Sequence, residues 1–474
     1  MDFFRRLSTP IERPPVTPPL VTPPLVTPMP VTPPAVTPMP VLGLAPRRNL
    51  LTKTMGPGAE VVAALPVALP ITFLVAIPIE AQCYAARLGF ANVFNFPVII
   101  AGASIYSSDS YSVCAGMAAD TSGGTWFPVP TGAASTGTRV TFDCGGAPNP
   151  AAGTQMVNNS GTRFSYTLAA DPSNPGNVSR PVTFQWSDFV PVTSIPQAAA
   201  PDGPHVLFIY ITIGSPNMVK GGANWLRMAD DPLAMGRRQY YGAIASNHAG
   251  DYSTHPTGTG FKRYPTLPQF ALQYLTPSCG VQCITVGDSL AASPMSDLFS
   301  TPVWRAAADL STQALPIEVA SMNFSGANSS VYNVSLQNNA AAIRPSVLFC
   351  QPLSRNDGAT TERLHALLAR SLAQSHELHS VYGTRLILNS PGCEPSFDGT
   401  PAFVAAFNDI LARLRAIGAA GEIPHIDGPS VLGRQEAPWN YIEGASDDAM
   451  HPNSAGAELL VPLTKQALCI VIGI

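Results

Sequence analysis

Apolar positions follow two different periods along the chain, and the change falls near residue 270. Beyond it, short apolar runs alternate with stretches of helical spacing. Cys283–Val286, Ile317–Phe324, Ser346–Gln351, Arg385–Asn389 and Ile423–Ile426 read as strands, each short and bounded by turn residues. Between and after them, Ser296–Thr312, Ser329–Ile343, Thr361–Ser380, Ala402–Ile417 and Ala455–Leu468 read as helices. In Thr361–Ser380, Leu364, Leu367, Leu368 and Leu372 fall on one side. Such alternation with short connections predicts an α/β fold, a parallel sheet covered on both faces. Ligands of these folds bind outside the carboxyl ends of the strands.

Before residue 270 no long helical period appears. Phe96–Ile100, Arg139–Phe142, Arg163–Leu168, Val182–Trp186 and Val206–Ile213 read as strands separated by Gly, Pro, Asn and Ser clusters. This predicts an all-β, sandwich-like region. Val61–Ile79 is uncharged and nearly long enough to span a bilayer. Pro66, Pro70 and Pro78 interrupt it, so buried strands are expected there and no integral membrane span. Residues 16–40 repeat VTPPL, VTPPL, VTPMP, VTPPA, VTPMP with a period of five. Proline at this density predicts an extended polyproline arm serving as a spacer. The expected organisation is a Pro-rich arm over 1–50, a β-sandwich-like accessory domain over 51–265 and an α/β domain over 266–474.

Composition narrows the partners. Charged residues are only 12% of the chain, and the formal net charge is -4. With no basic cluster, no nucleic-acid partner is expected. Lysine occurs only at 53, 220, 262 and 465, while proline reaches 49 residues. This balance favours an exported or surface protein, although "MDFFRRLSTPIERPP" lacks the apolar core of a signal peptide. Of the eight cysteines, Cys350 and Cys469 sit in apolar runs and read as buried thiols. Cys114 with Cys144, and Cys279 with Cys283, read as possible disulfide pairs. No His/Cys set completes a metal site around Cys279 and Cys283, and no cofactor is expected. His248 and His255 lie in a Gly/Thr-rich loop and read as solvated.

Chemistry gathers at the expected strand ends. The first carries Gly287-Asp288-Ser289-Leu290, the second "NFSGANSS" with Gly326, and the third "PLSRNDG" with Asn356. After the last short strand comes "GASDDAMHPNSAG", with Asp448 and His451. A serine hydroxyl becomes a useful nucleophile when a base takes its proton. His451 is the expected base, and Asp448, three residues earlier on a tight loop, is within reach of the far imidazole nitrogen. Pro452 keeps His451 out of helical geometry. His425 is the rival base, but no aspartate stands three residues before it. Each block is also ordinary turn or capping chemistry taken alone. Four at successive strand ends favour a site.

These four blocks, in this order, resemble the SGNH (GDSL) hydrolases over about residues 280–470. The resemblance implies a flavodoxin-like hydrolase domain and a serine esterase without cofactor. It implies Ser289, Asp448 and His451 as the catalytic triad. It implies backbone N–H groups of Ser289 and Gly326 with the Asn356 side-chain amide as the oxyanion hole. The sequence departs from the family in its third block, where Ser354 stands in place of the usual glycine. "ARLGFANVFNFPVIIAGASIYSSDS" and "RPVTFQWSDFVPVTSIP" resemble the N-terminal β-sandwich of larger family members. The polar loops after the strands suit short acyl groups on a hydroxyl-rich alcohol, so the expected substrate is an acetyl-type ester, with an acetylated polysaccharide as natural target. Arg355 is the candidate contact to that alcohol. The alternatives are a surface-anchored glycan-binding or structural protein built on this scaffold, and a lipase-type esterase. Oligomeric state is not indicated.

Overall fold

A computed structural model describes residues 44–55, 61–65, 71–91, 98–107, 111–115, 126–130, 136–139, 155–159, 163–168, 181–196, 205–213, 218–221, 240–244, 269–293, 301–324, 327–352, 354–357, 361–393, 401–421, 423–434 and 440–474. The VTPxx repeats, Cys144, His248, His255 and Gly326 lie outside the described residues, as does the side chain of Arg355.

The organising element is one long strand. β1 (Arg48–Met55), β2 (Ala85–Ala91) and β3 (Gln269–Gly287) meet first: the leading part of β3 pairs antiparallel with both β1 and β2. β3 then continues without a break into a parallel sheet. There it lies between β4 (Ile317–Asn323) and β5 (Val347–Cys350), followed outward by β6 (Arg385–Ser390) and β7 (His425–Asp427). The five parallel strands, counted in chain order, therefore stand 2-1-3-4-5 across the sheet. The order reverses between β3 and β5, and such a point opens a crevice at the strands' carboxyl ends.

Both faces of the parallel sheet are buried, which explains strands that read as continuous apolar runs. Ile284, Val286, Leu348 and Leu388 pack on one face beneath α2 (Ser329–Ile343), α3 (Thr361–Tyr382) and α4 (Pro401–Ala419). Val281, Cys283, Val347, Phe349 and Ile387 pack on the other beneath α1 (Pro302–Leu310) and α6 (Ser454–Ile472), with the short α5 (Gly428–Leu432) between β7 and α6. Helix boundaries follow local chemistry. Asn328 caps α2 by accepting from the Val331 N–H, and Asn453 caps α6 by accepting from the Gly456 N–H. Gly473, at φ 74°, closes α6 in the left-handed conformation. α6 is long and apolar enough to cross a membrane by composition, but half of it is buried inside the protein.

All described elements before β3 are strands. Half of them form a second sheet of eight antiparallel strands, in which His205–Ile213 lies between Ile71–Ile79 and Val98–Ser107. Val61–Leu65 and Ile71–Ile79 are separate strands on the two sides of the Pro66–Pro70 interruption. Part of the stretch read as the end of the arm is packed: the Ala45 N–H donates to the Val471 carbonyl at 2.9 Å, and Ala45 is buried.

A buried charge cluster joins the two groups of strands. Lys53 of β1 and Glu318 of β4 approach to 3.5 Å, each only 1% exposed. Lys53 Nζ also donates to the Pro78 carbonyl at 2.6 Å and lies 5.0 Å from the Trp304 ring centre. Glu318 Oε2 accepts from the Tyr274 hydroxyl at 2.8 Å and from the Glu80 N–H at 3.3 Å.

One expectation about the cysteines is corrected. Cys279 and Cys283 are both free thiols, the first exposed and the second buried. They lie four residues apart within β3, a separation of about 13 Å in extended chain, whereas a disulfide needs Cα atoms within about 7 Å. Cys350 is buried as read, and Cys469 is half-buried.

Candidate active site

β3 ends where its backbone can turn sharply. A Cβ on Gly287 would lie 2.5 Å from both Ala291 Cβ and Gln351 Oε1, so no larger residue fits. The next residue, Asp288, is fully buried. Its N–H donates to Gln351 Oε1 at 3.1 Å, and its Oδ1 accepts from the Leu290 N–H at 2.8 Å. Burial pushes its carboxyl above the usual range, a rise opposed by hydrogen bonds from Ser354, Leu290 and Gln351. The Ala292 N–H closes the turn on the Asp288 carbonyl at 3.1 Å. Ser289 stands at the head of this turn and is 6% exposed.

The second component comes from the loop leading into α6. His451 Nε2 lies 2.9 Å from Ser289 Oγ, and His451 Nδ1 lies 2.7 Å from Asp448 Oδ2. Asp448 Oδ1 collects the N–H groups of Met450 and His451 at 2.8 and 2.7 Å. That wrap needs Ala449 in the left-handed region, at φ 58°. Partial burial raises the Asp448 carboxyl, but the hydrogen bonds from the His451 ring and from the two backbone N–H groups outweigh it and hold the group at about 2. The loop is pinned from outside. The buried Tyr441 hydroxyl reaches the Met450 carbonyl at 3.1 Å, and Asn453 Nδ2 donates to Asp447 Oδ1 at 2.7 Å.

The third component follows β5, the neighbour of β3 across the switch point. Arg355–Asp357 forms a 3-10 turn. Asn356 Nδ2 donates to the Ala327 carbonyl at 2.9 Å, which occupies one of its two N–H groups. Asp357 is buried; its Oδ1 accepts from the N–H and hydroxyl of Ser329 at 2.9 and 3.0 Å, and its Oδ2 from the Ser354 N–H at 3.1 Å. Beside Leu290 opens a pocket with about 340 Å³ of empty space, part of it open to solvent, lined chiefly by Leu290, Pro352, Phe407, Leu411 and Leu414.

No family model and no curated protein matches the chain. Solved structures do resemble it. These neighbours are lipolytic hydrolases. A lipase/acylhydrolase from Enterococcus faecalis is 19% identical, with a TM-score of 0.30 over 39% of this chain and 94% of its own. A member of the lipolytic protein G-D-S-L family from Veillonella parvula is 19% identical, with a TM-score of 0.31 over 39% of this chain and 96% of its own. The psychrotrophic esterase EstA from Pseudoalteromonas sp., in a structure inhibited by monoethylphosphonate, is 14% identical, with a TM-score of 0.30 over 40% of this chain and 98% of its own.

The structure thus brings Ser289, His451 and Asp448 into one hydrogen-bonded line. His425 lies elsewhere, its Nε2 3.0 Å from Ser390 Oγ; burial lowers its pKa to about 4. Asn323, Gln351 and Tyr441, and the bonds made by Ser354, escaped sequence reasoning. Each acts on backbone or side chains distant in sequence, as when Asn323 Nδ2 donates to the Ala291 carbonyl of the nucleophile turn at 3.0 Å. The one available signal was Ser354, where a hydroxyl replaces the expected glycine.

Proposed function

We propose that this chain is a serine esterase of the SGNH type. The observation that carries the reading is the line from Ser289 Oγ through His451 to the Asp448 carboxylate, placed at the carboxyl ends of parallel strands. In the proposed reaction His451 Nε2 takes the Ser289 proton as Oγ attacks the ester carbonyl. Asp448 keeps the proton on Nδ1 and stabilises the imidazolium. The oxyanion is met by the second Asn356 amide N–H and by the backbone N–H groups of Ser289 and Gly326. Collapse releases the alcohol, protonated by His451. Water, activated by the same imidazole, then frees the acid and restores Ser289.

The proposed substrate is a short acyl ester, acetyl above all, on a carbohydrate. The pocket beside Leu290 supports a small acyl group, since only about 20 Å³ of it admits the centre of a water-sized sphere. The polar loop "NSPGCEPSFDG" and Arg355 support a hydroxyl-rich alcohol. The strands before β3 would hold the polymer near Ser289 and raise its effective concentration. The apolar lining of the same pocket is what favours the second reading, a lipase-type esterase. The deciding experiment is kcat/KM across p-nitrophenyl esters from acetyl to palmitoyl, with acetate release from acetylated xylan, pectin and exopolysaccharide. A maximum at decanoyl or beyond, with no acetate released, selects the lipase. Folded protein that a fluorophosphonate probe fails to label at Ser289 returns the chain to the non-enzymatic, glycan-binding reading.

A further inference from the structure

We infer that Ser354 is a positioning residue for the reaction, its hydroxyl tying the nucleophile turn to the turn that carries Asn356. The inference rests on the serine-esterase reading above. Ser354 is 2% exposed and reaches solvent too little to bind substrate. Its Oγ–H donates to Asp288 Oδ2 at 2.5 Å, within the range of charge-assisted O–H···O⁻ bonds. Its Oγ lies 3.0 Å from the Ala327 carbonyl, the same oxygen that accepts from Asn356 Nδ2. Its Oγ also accepts the Asn356 N–H at 3.2 Å. One hydroxyl therefore touches three loops: the turn presenting Ser289, the turn presenting Asn356, and the entry to α2 next to Gly326.

The direction of the bonds matters. Asp288 is buried beside the nucleophile, and a buried carboxylate keeps its place only while donors satisfy it. Glycine at this position supplies no donor to Oδ2 and no acceptor for the Asn356 N–H. The two turns would then keep their own local bonds, Asp288 with Leu290 and Ser354 with Asp357, and the Asp288 N–H its bond to Gln351, while losing the hydroxyl link between them. The distance from Ser289 to the Asn356 amide would loosen, and that distance sets how well the tetrahedral oxyanion is met.

The test uses the full chain with Ser354→Ala, Ser354→Gly and Ser354→Thr, p-nitrophenyl acetate as substrate and a fluorophosphonate as active-site probe. Expected for Ala and Gly are a kcat lowered about tenfold, a KM within about twofold, and a phosphonylation rate lowered in step with kcat, because misplacement of catalytic groups acts on the transition state. Thr keeps the hydroxyl and should restore most of kcat. Folded Ala and Gly variants with kcat near wild type overturn the inference and leave the esterase reading intact. So does a loss confined to KM, or a Thr variant as slow as Ala. If Ala and Gly fail to fold, the comparison of Thr with wild type decides. A wild-type protein that neither turns over ester nor takes the probe removes the esterase reading, and the inference with it.

Discussion

Asp447 and Asp448 are neighbours with different partners. Asp448 holds the His451 ring, whereas Asp447 accepts from Asn453, the residue that caps α6. Asp448→Asn should lower kcat on the order of a thousandfold or more, because the amide presents the wrong tautomer to the ring. Asp447→Asn keeps an acceptor oxygen and should be mild; the reverse ranking of the two rates would mean the loop is misread. Acidity gives a second check. The Asp448 carboxyl sits at about 2 when folded, below the unfolded value of about 3.9. Its stabilisation is therefore present above the unfolded value and lost as pH falls through the folded one. The gap in Tm between wild type and Asp448→Asn should be open at neutral pH and close between about pH 4 and pH 2, as thermal scans across that range would reveal. In the proposed reaction Asn356→Ala removes a donor to the oxyanion and should cost roughly 100-fold in kcat. Its exposed side chain supports little of the fold, so Tm should hardly move. An effect on KM alone would make Asn356 a substrate contact.

At the scale of elements, legibility depended on whether a segment was apolar for its own sake. Ser329–Ile343 and Arg163–Leu168 stand where the sequence placed them. β3 was recognised only from Cys283 to Val286, although it starts at Gln269. Its earlier part carries Gln273, Thr276 and Gln282, buried polar residues that break the alternation. The two glutamines are tolerated there because each is answered across the sheet: Gln273 Nε2 donates to Thr52 Oγ1 at 2.9 Å, and Gln282 Nε2 to the Thr52 carbonyl at 3.0 Å. β1 was not recognised at all: a lysine at position 53 interrupts the apolar run, and its buried partner Glu318 lies far along the chain. Removing one partner strands the other in the core. Lys53→Met should therefore destabilise by about 3–5 kcal/mol, measured by urea unfolding. Adding Glu318→Gln, which keeps acceptors for Tyr274 and the Glu80 N–H, should recover most of that loss. A Lys53→Met variant as stable as wild type would mean the pair is not buried as described.

At the scale of the molecule, the hydrogen-bonded line of Ser289, His451 and Asp448 was legible because motif chemistry is local, three residues from Asp448 to His451 and one strand end for Ser289. The continuity of the sheets was not, because it rests on pairings between distant segments. Every described residue falls in one compact unit, Thr37–Ile474. A fragment of residues 266–474 would leave both edges of the leading part of β3 unpaired and Glu318 buried without Lys53. It should be insoluble or lack a cooperative transition, whereas residues 44–474 keep every contact described above and should melt as wild type does. A soluble, cooperatively folding and active 266–474 fragment would show that the strands of β1 and β2 are dispensable.

The route of β3 also sets an order of events during synthesis. Thr52 of β1 bonds to Gln282, 230 residues further along the chain. At translation speeds of about 5–20 residues per second, β1 leaves the ribosome roughly 10–50 s before that partner exists. Throughout that interval β1 lacks the strand it pairs with in the finished fold. Polar and charged residues such as Thr52, Lys53 and Thr54 disfavour pairing of a waiting strand with another chain.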